Sequence, residues 1–558
     1  MSRTPEPRTP CRSSTAKLDA VRPIRVGQSD LFKIGRVAAC ADWGNLNARF
    51  KEQFALPRRA QVRLREEVIP VAESASDAPL TRLTRRMVLS GGAAALATAA
   101  IPLRLAALSW NPADGRPQPA DRRFNSPAIE AAIVRIRKQI PDPVLAAMFE
   151  RCFPNTLDTT VFPGTLDGHP DTFVITGDID AMWLRDSSAQ VHPYVSFARE
   201  DPALARLLQG VVRRQTRCIL IDPYANAFTR SASDPPLSWA VHDQTEMKPG
   251  VAERKWEIDS LCYTVRLAHA YWRATGDVTP FDETWRAAAW KIVETFTEQQ
   301  RIHGKGPYHF MRLTAVSSDT VPLSGYGNPA RPVGMIFSMF RPSDDACIFP
   351  LFVPANLFAI RSLEQLQEIN AAAGADRRLH AASDELLKST RAALEKYGTV
   401  EHPSYGRIWA YEVDGYGNSL RMDDANAPGL LSLPYLGCCD VKDPMYQRTR
   451  QFVLSADNPY FFRGSAAEGT GSPHTGLGMI WPIGIIMRAL TSIDDREIVH
   501  CLRWLRNTTA GTNFMHESFG ENNPTQFTRA WFAWANTLFG ELIVTLAQSK
   551  PDLLRQVS

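Results

Sequence analysis

The chain has 558 residues, too many for one small domain and suited to one large domain with additional segments. Its 44% hydrophobic and 22% charged content is ordinary for a globular protein, and a formal charge of +4 gives no reason to expect nucleic acid or an anionic membrane as partner. There is no P-loop, no GxGxxG after a strand, no HExxH and no CxxC, and the nine cysteines, of which only Cys438 and Cys439 adjoin, form neither a zinc spacing nor a disulfide framework.

Residues 1–80 begin rich in Pro, Arg and Ser and lack sustained periodicity, which is the composition of a disordered tail or of an extension upstream of the true start. In residues 81–108 the pair Arg85-Arg86 precedes an Ala-rich, mildly apolar run from Met87 to about Pro102. That run is too short and too weakly hydrophobic to span a membrane. A charged start, a modest apolar stretch and small residues at Ala106-Ala107 describe an export signal of the twin-arginine type. The expectation is an exported protein, periplasmic or secreted, whose working chain begins near residue 108 and is not inserted in a membrane once the signal is removed.

From residue 109 the sequence reads as paired helices. Ser126-Pro127 is an N-cap with a favoured first-turn proline, followed by Ile129, Ile133, Ile136 and Ile140 at helical spacing. Pro141 and Pro143 end that helix and open another over 144–153. Leu261, Val265, Ala268 and Trp272 form a stripe closed by Gly276, and Pro280 opens a partner bearing Trp285, Ala289, Ile292 and Phe296. Further helices are predicted over 354–371, 376–397, 481–492, 494–507 and 525–546. Long polar loops, such as 303–348 and 400–440, separate them, and loops of that length on repeated helix pairs point to a site carried on one rim. The predicted fold for 109–558 is all-α, an (α/α)6 toroid of six helical hairpins. An α-solenoid is nearly as compatible with the periodicity, although no fixed repeat length is visible.

The loops share one chemistry. "GDIDAMWLRDSS" holds Asp178, Asp180, Trp183, Arg185 and Asp186; "ERKWEIDS" holds Glu257 and Asp259; "FRPSDDAC" holds Arg341, Asp344 and Asp345. "MDDANAP" holds Asp424 and Asn426, "GSPHTG" holds His474, and "NFMHESF" holds His516 and Glu517. Each alone is a common cap, turn or ion pair. Together, with Glu468 just ahead of "GSPHTG", they place carboxylates in six loops with Trp or Tyr close by in most, which is how proteins hold sugars: hydroxyls on charged side chains and ring faces on Trp or Tyr. Glycoside hydrolysis needs two carboxyl groups, one to donate a proton and one to activate water or attack carbon. A calcium or magnesium site is the rival for the acids, but "DDAN" is not an EF-hand loop.

These motifs, with "FTRAWFAWANTLFGEL", resemble glycoside hydrolase family 125, in order from about residue 125 to 545. The resemblance implies an (α/α)6 toroid and an inverting, metal-independent exo-α-1,6-mannosidase that needs no cofactor and takes an oligosaccharide with α-1,6-linked mannose. It implies Asp344 as general acid, with Asp345 as the alternative, and Glu517 as general base. Binding of the terminal sugar is expected from Asp180, Trp183, Arg185, Asp186, Asp259, Arg341, Asp345, Asp424, Asn426, His474 and His516. Inversion requires the two carboxyls about 6.5–9.5 Å apart, with room for one water. A glycosidase of other linkage or sugar on the same scaffold, and a glycan-binding protein without catalysis, are the alternatives. A polysaccharide lyase would need basic loops, and these are mainly acidic.

Overall fold

The computed structural model describes residues 115–557. The extension expected at 1–80 and the export signal expected at 81–108 lie outside the described residues. Twelve helices of eight or more residues occur among the described ones. They are α1 Pro127–Arg137, α2 Pro143–Cys152, α3 Leu184–Val191, α4 Pro202–Ile221, α5 Ile258–Thr275, α6 Glu283–Gln299, α7 Val353–Ala372, α8 Arg377–Tyr397, α9 Pro444–Val453, α10 Pro482–Leu490, α11 Asp495–Asn507 and α12 Ala533–Ser549.

Their ends follow local chemistry. Ser126 caps α1 through Oγ, which accepts from Ile129 N at 3.3 Å, and Asp142 caps α2 by accepting from Leu145 N at 2.8 Å. Gly276 ends α5 in the left-handed region at φ +74°. The opening of α6 is set by Asp282, whose carboxylate takes the N–H groups of Thr284 and Trp285, and not by Pro280. The last helix starts later than its sequence pattern predicts, at Ala533 and not near 525. Residues 527–528 pair with 518–520 as a strand, and Trp531 precedes the helix that carries Trp534.

The helices form two layers. In the inner one α12 packs on α3, α3 on α5, α5 on α7, and α10 on α12. Between α7 and α10 runs a non-helical segment, 425–437. Tyr263 of α5 donates to Ala427 O at 2.9 Å, and Ala425 abuts Gly484 of α10. Against this layer lie α2 on α12, α4 on α5, α8 on α7 and α11 on α10, the last three pairs being neighbours in sequence. Burial separates the layers. All eight residues of α3 are buried, whereas α8 buries one stripe through Leu379, Ser383, Leu386, Thr390 and Leu394. A helix with a single apolar stripe faces solvent on its other side; one covered all round must be enclosed.

The molecule is mostly helical rather than all-α. Among the described residues six sheets of two or three strands stitch the loops together. One joins 182–183, 227–228 and 251–253; another joins 351–352, 412–413 and 419–420; a third joins 479–480, 518–520 and 527–528. Polar loops of this length bury backbone groups as they fold over the helices, and short ladders satisfy them. The antiparallel hairpin 161–166/169–174 lies on α4 at Gly210, where a Cβ would stand 2.4 Å from Thr172 Oγ1, so that close approach requires glycine. No helix among the described residues is long and apolar enough to cross a membrane.

Candidate active site

A cavity of about 520 Å³ opens where the strand-stitched loops meet the inner helices. Three segments build one wall. The strand 182–183 delivers Trp183, and the first turn of α3 delivers Arg185 and Asp186. The stretch "GDIDAMWLRDSS" is therefore only half loop; its charged core is helical, hidden from periodicity because the whole helix is buried. The strand 251–253 leads through Lys255 to Glu257 and Asp259 at the start of α5. The tight turn Arg341–Asp345 closes on itself, Asp344 N donating to Arg341 O at 2.9 Å and Arg341 N to Asp345 O at 2.8 Å. Asp344 sits in that turn at φ +66°, a left-handed conformation that Asp tolerates better than most residues and that recurs at functional sites.

Arg185 is the hub. Its Nη1 donates to Asp186 at 2.5 Å, its Nε to Asp259 at 3.3 Å, and its Nη2 to Asp344 at 3.0 Å and to both Glu257 oxygens at 3.2 Å. Lys255 reaches the same turn from behind, donating to the Asp344 carbonyl at 2.8 Å and to Asp319 at 2.6 Å. Burial pushes the Asp344 carboxyl upward, but Arg185, Lys255 and a hydrogen bond from Glu257 outweigh it and hold it at about 2. Burial pushes Glu257 far up, against the pull of Arg185, and pushes Asp259 to about 7.

Glu517 faces the cavity from the other side, just before the strand 518–520. Its carboxylate accepts from Arg529 Nη1 at 3.4 Å; Arg529 also donates to Thr176 O at 2.9 Å and pairs with Asp178. His474 lies between the two sides, with Nδ1 3.6 Å from Asp345. Burial opposes charge on this imidazole, but Asp345, Asp344 and Glu517 outweigh it and raise it to about 9. The wall beside it is Trp481, edge-on to the imidazole at 6.3 Å, with Nε1 tied to Thr475 at 2.8 Å. Trp183 Nε1 is buried in the wall without a protein acceptor, a donor left for a ligand oxygen.

Trp183, Arg185, Asp186, Asp344, Asp345, Asn426, His474 and Glu517 thus converge on one cavity. Five expected binding residues stand off its wall. Asp180 is exposed and holds Arg230 at 2.8 Å. Asp259 is fully buried behind Arg185. Arg341 points away, its Nε donating to buried Glu412 at 2.6 Å. Asp424 accepts from Asn426 N and Nδ2, each at 3.0 Å, and from Ser472 at 2.9 Å, so it shapes the loop that presents Asn426. His516 has both ring nitrogens on backbone carbonyls, Ala530 O at 2.9 Å and Thr509 O at 3.2 Å, and stacks on Phe527. None of the five lines the cavity, and each is held by a partner of its own.

A family model described as metal-independent α-mannosidase, glycoside hydrolase family 125, matches residues 142–544. The chain belongs to this family. It is therefore a glycoside hydrolase of the α-mannosidase type. A solved α-mannosidase of Streptococcus pneumoniae, a non-productive substrate complex with α-1,6-mannobiose, is 39% identical, with a TM-score of 0.73 over 77% of this chain and 100% of that one. The meiotically up-regulated gene 157 protein of Schizosaccharomyces pombe is 41% identical over 466 residues, 79% of this chain and 90% of that protein. The family match spans the cavity, whose lining also includes residues outside the set expected to bind sugar. Trp239 is half exposed at the wall with Nε1 on Glu253 at 3.1 Å; Arg312 bridges Glu253 and Asp319; Phe532 and Trp534 complete the apolar side. Glu253 and Lys255 stand within the quoted "ERKWE" run, whereas Arg312 sits in an unremarkable loop and carries no sequence signal.

Proposed function

We propose that the protein is an inverting exo-α-1,6-mannosidase that releases single mannose units from mannans or glycans. One observation carries the reading. Asp344 and Glu517, from distant loops, face one cavity across His474, whose charge is raised by both. Asp344 is favoured over Asp345 as the acid because its side chain is 26% exposed, against 4%, and because Ser343 and His474 engage the Asp345 oxygens. Asp344 protonates the glycosidic oxygen as the C1–O bond breaks. Glu517 takes a proton from the water that attacks C1 from the opposite face. Arg185, Asp186, Asn426 and His474 hold hydroxyls of the terminal mannose, and Trp183 offers its free N–H. The bound disaccharide of the streptococcal relative supports the α-1,6 linkage. The succession α12–α3–α5–α7, the segment 425–437, then α10 returning to α12 supports closure as an (α/α)6 toroid. The twin-arginine-like stretch at 81–108 supports export, and an intact Met1 on a cytoplasmic product would overturn that part.

The test is hydrolysis of α-1,2-, α-1,3- and α-1,6-mannobiose followed by proton NMR. The reading requires preferential cleavage of the α-1,6 isomer with β-mannose appearing first. Early α-mannose contradicts inversion, and preference for another isomer contradicts the linkage.

A further inference from the structure

Charge counting around Arg185 leaves a proton to place. One guanidinium, 4% exposed, is within 2.5–3.3 Å of four carboxyl groups: Asp186, Glu257, Asp259 and Asp344. The nearest other cation, Lys255, spends its ammonium on Asp319 and on the Asp344 carbonyl. Glu257 and Asp259 are wholly buried off the cavity, and one guanidinium already paired with Asp186 and Asp344 cannot compensate both, so the cluster keeps a proton on a buried member.

The geometry selects the pair that shares the proton. Glu257 and Asp344 converge on the same nitrogen, Arg185 Nη2, at 3.2 and 3.0 Å, which sets the two carboxyl groups side by side, and two carboxyl groups so placed are stable only with a proton between them. Glu257 is completely buried, does not line the cavity, and is faced by Arg185, Asp344, Asp259, the Tyr308 phenol and Ser260, whose Oγ donates to Oε2 at 3.0 Å. Asp344 is faced by Arg185, Lys255, Glu257 and His474 and opens to the cavity. Asp259, by contrast, keeps Oδ1 without any partner. The proton belongs on Glu257, which is wholly buried off the cavity, whereas Asp344 opens to the cavity; burial raises the one carboxyl while Arg185 and Lys255 depress the other. Asp344, held below the ordinary carboxylate range by Arg185 and Lys255, draws its proton from that buried neighbour.

We propose that Glu257 is the positioning residue that keeps the catalytic proton for Asp344, handing it across their shared hydrogen bond when the glycosidic oxygen arrives. The inference rests on the reading of Asp344 as general acid. The balance is simple. The Glu257 O–H bond breaks as an Asp344 O–H forms; that bond then breaks as the leaving hydroxyl forms and the C1–O bond cleaves. After turnover the pair is one proton short, and Glu517 holds the proton taken from water. Release from Glu517 to solvent and uptake by the pair restore the start, with no other reactant.

The pair loses its proton as pH rises through the elevated value of Glu257, so Glu257 sets the basic limb of kcat/KM. Glu257→Gln retains a donor to Asp344 and an acceptor for Arg185 but has no proton to pass on. The expected result on α-1,6-mannobiose is a loss of at least about 100-fold at pH 7 with the basic limb moved to lower pH. On 2,4-dinitrophenyl α-mannoside, whose leaving group needs no protonation, the loss is expected to stay within several-fold. Equal losses on both substrates with the limb unmoved would mean that Glu257 only braces Arg185, and the proposal falls. Asp344→Asn runs beside it. If Asp344→Asn splits the two substrates and Glu257→Gln does not, the Glu257 role fails alone; if Asp344→Asn shows no split, the acid assignment fails first. Should Glu257→Gln not accumulate folded, Glu257→Asp keeps a carboxyl and reads the same quantity, a displaced limb against a uniform loss.

Discussion

Replacing Arg341 by Met tests how the acid-bearing turn is held. Arg341 is 3% exposed, its partner Glu412 is fully buried, and their contact is 2.6 Å. Removing one member of such a pair costs about 3–5 kcal/mol, because the other charge is left uncompensated. Two features lower the figure. Glu412 Oε2 keeps the N–H groups of Ile348 and Phe349 at 2.9 and 2.8 Å, and Arg341 Nη2, buried without a partner, disappears with the side chain, returning about 1 kcal/mol. The net expectation is about 2–3 kcal/mol. With roughly 2 cal/mol/K of unfolding entropy per residue, the unit spanning 115–557 should melt about 2–3 °C lower. Glu412→Gln should cost at least as much, since a guanidinium cannot shed its charge. The double variant Arg341→Met/Glu412→Gln should recover part of the loss, with a coupling of about 2 kcal/mol. Calorimetry on the four proteins reads the cycle. Because Arg341 N and O both anchor the turn to Asp344 and Asp345, a displacement of about 1 Å there should also lower kcat about 100-fold. Single variants that melt with the parent, or a double variant equal to the sum of the singles, would refute the reasoning.

Glu517→Gln should lose about 10²–10⁴-fold in kcat on both mannobiose and an activated aryl mannoside, because water must be activated whatever the leaving group; an aryl substrate spared by this change would remove Glu517 from the base role. Asp186 holds Arg185 at 2.5 Å and the Thr176 hydroxyl at 2.6 Å, so Asp186→Ala should raise KM with a smaller loss in kcat, together about 10–100-fold in kcat/KM for a hydrogen bond to a charged group. A kcat as low as that of Glu517→Ala at saturating substrate would require a different role. His474, raised from 6.5 to about 9 by its acidic neighbours, takes up a proton more readily folded than unfolded. Its stabilising contribution is therefore complete below pH 6.5 and lost as pH climbs through 9. The melting difference between the parent and His474→Asn should shrink across that window, and a constant difference would argue against a charged His474.

Much of the fold was readable because it is local chemistry. Ser126-Pro127 and Gly276 mark helix ends by hydrogen bonds within a few residues, and stripes such as Leu261–Trp272 have one period that only a helix satisfies. The prediction weakened where burial is complete. Helix α3 has no polar face, so "WLRDSSAQV" looked like a charged loop, and the start of α12 was displaced by the strand 527–528, whose partner 518–520 comes from the third sheet. The site shows the same boundary. Residue types singled out the acid-rich loops that hold Asp344, Glu517, Arg185 and His474, and these four line one cavity. What no local pattern contains is which charges meet. Arg185 faces Glu257, Asp259 and Asp344 from three segments, while Arg341 and His516 turn to partners of their own and leave the cavity. Local sequence determines which groups can ionise and how the backbone caps them; packing determines which are denied water and must share a counter-charge. That second decision, made between residues distant in the chain, is what places a proton on Glu257 beside Asp344.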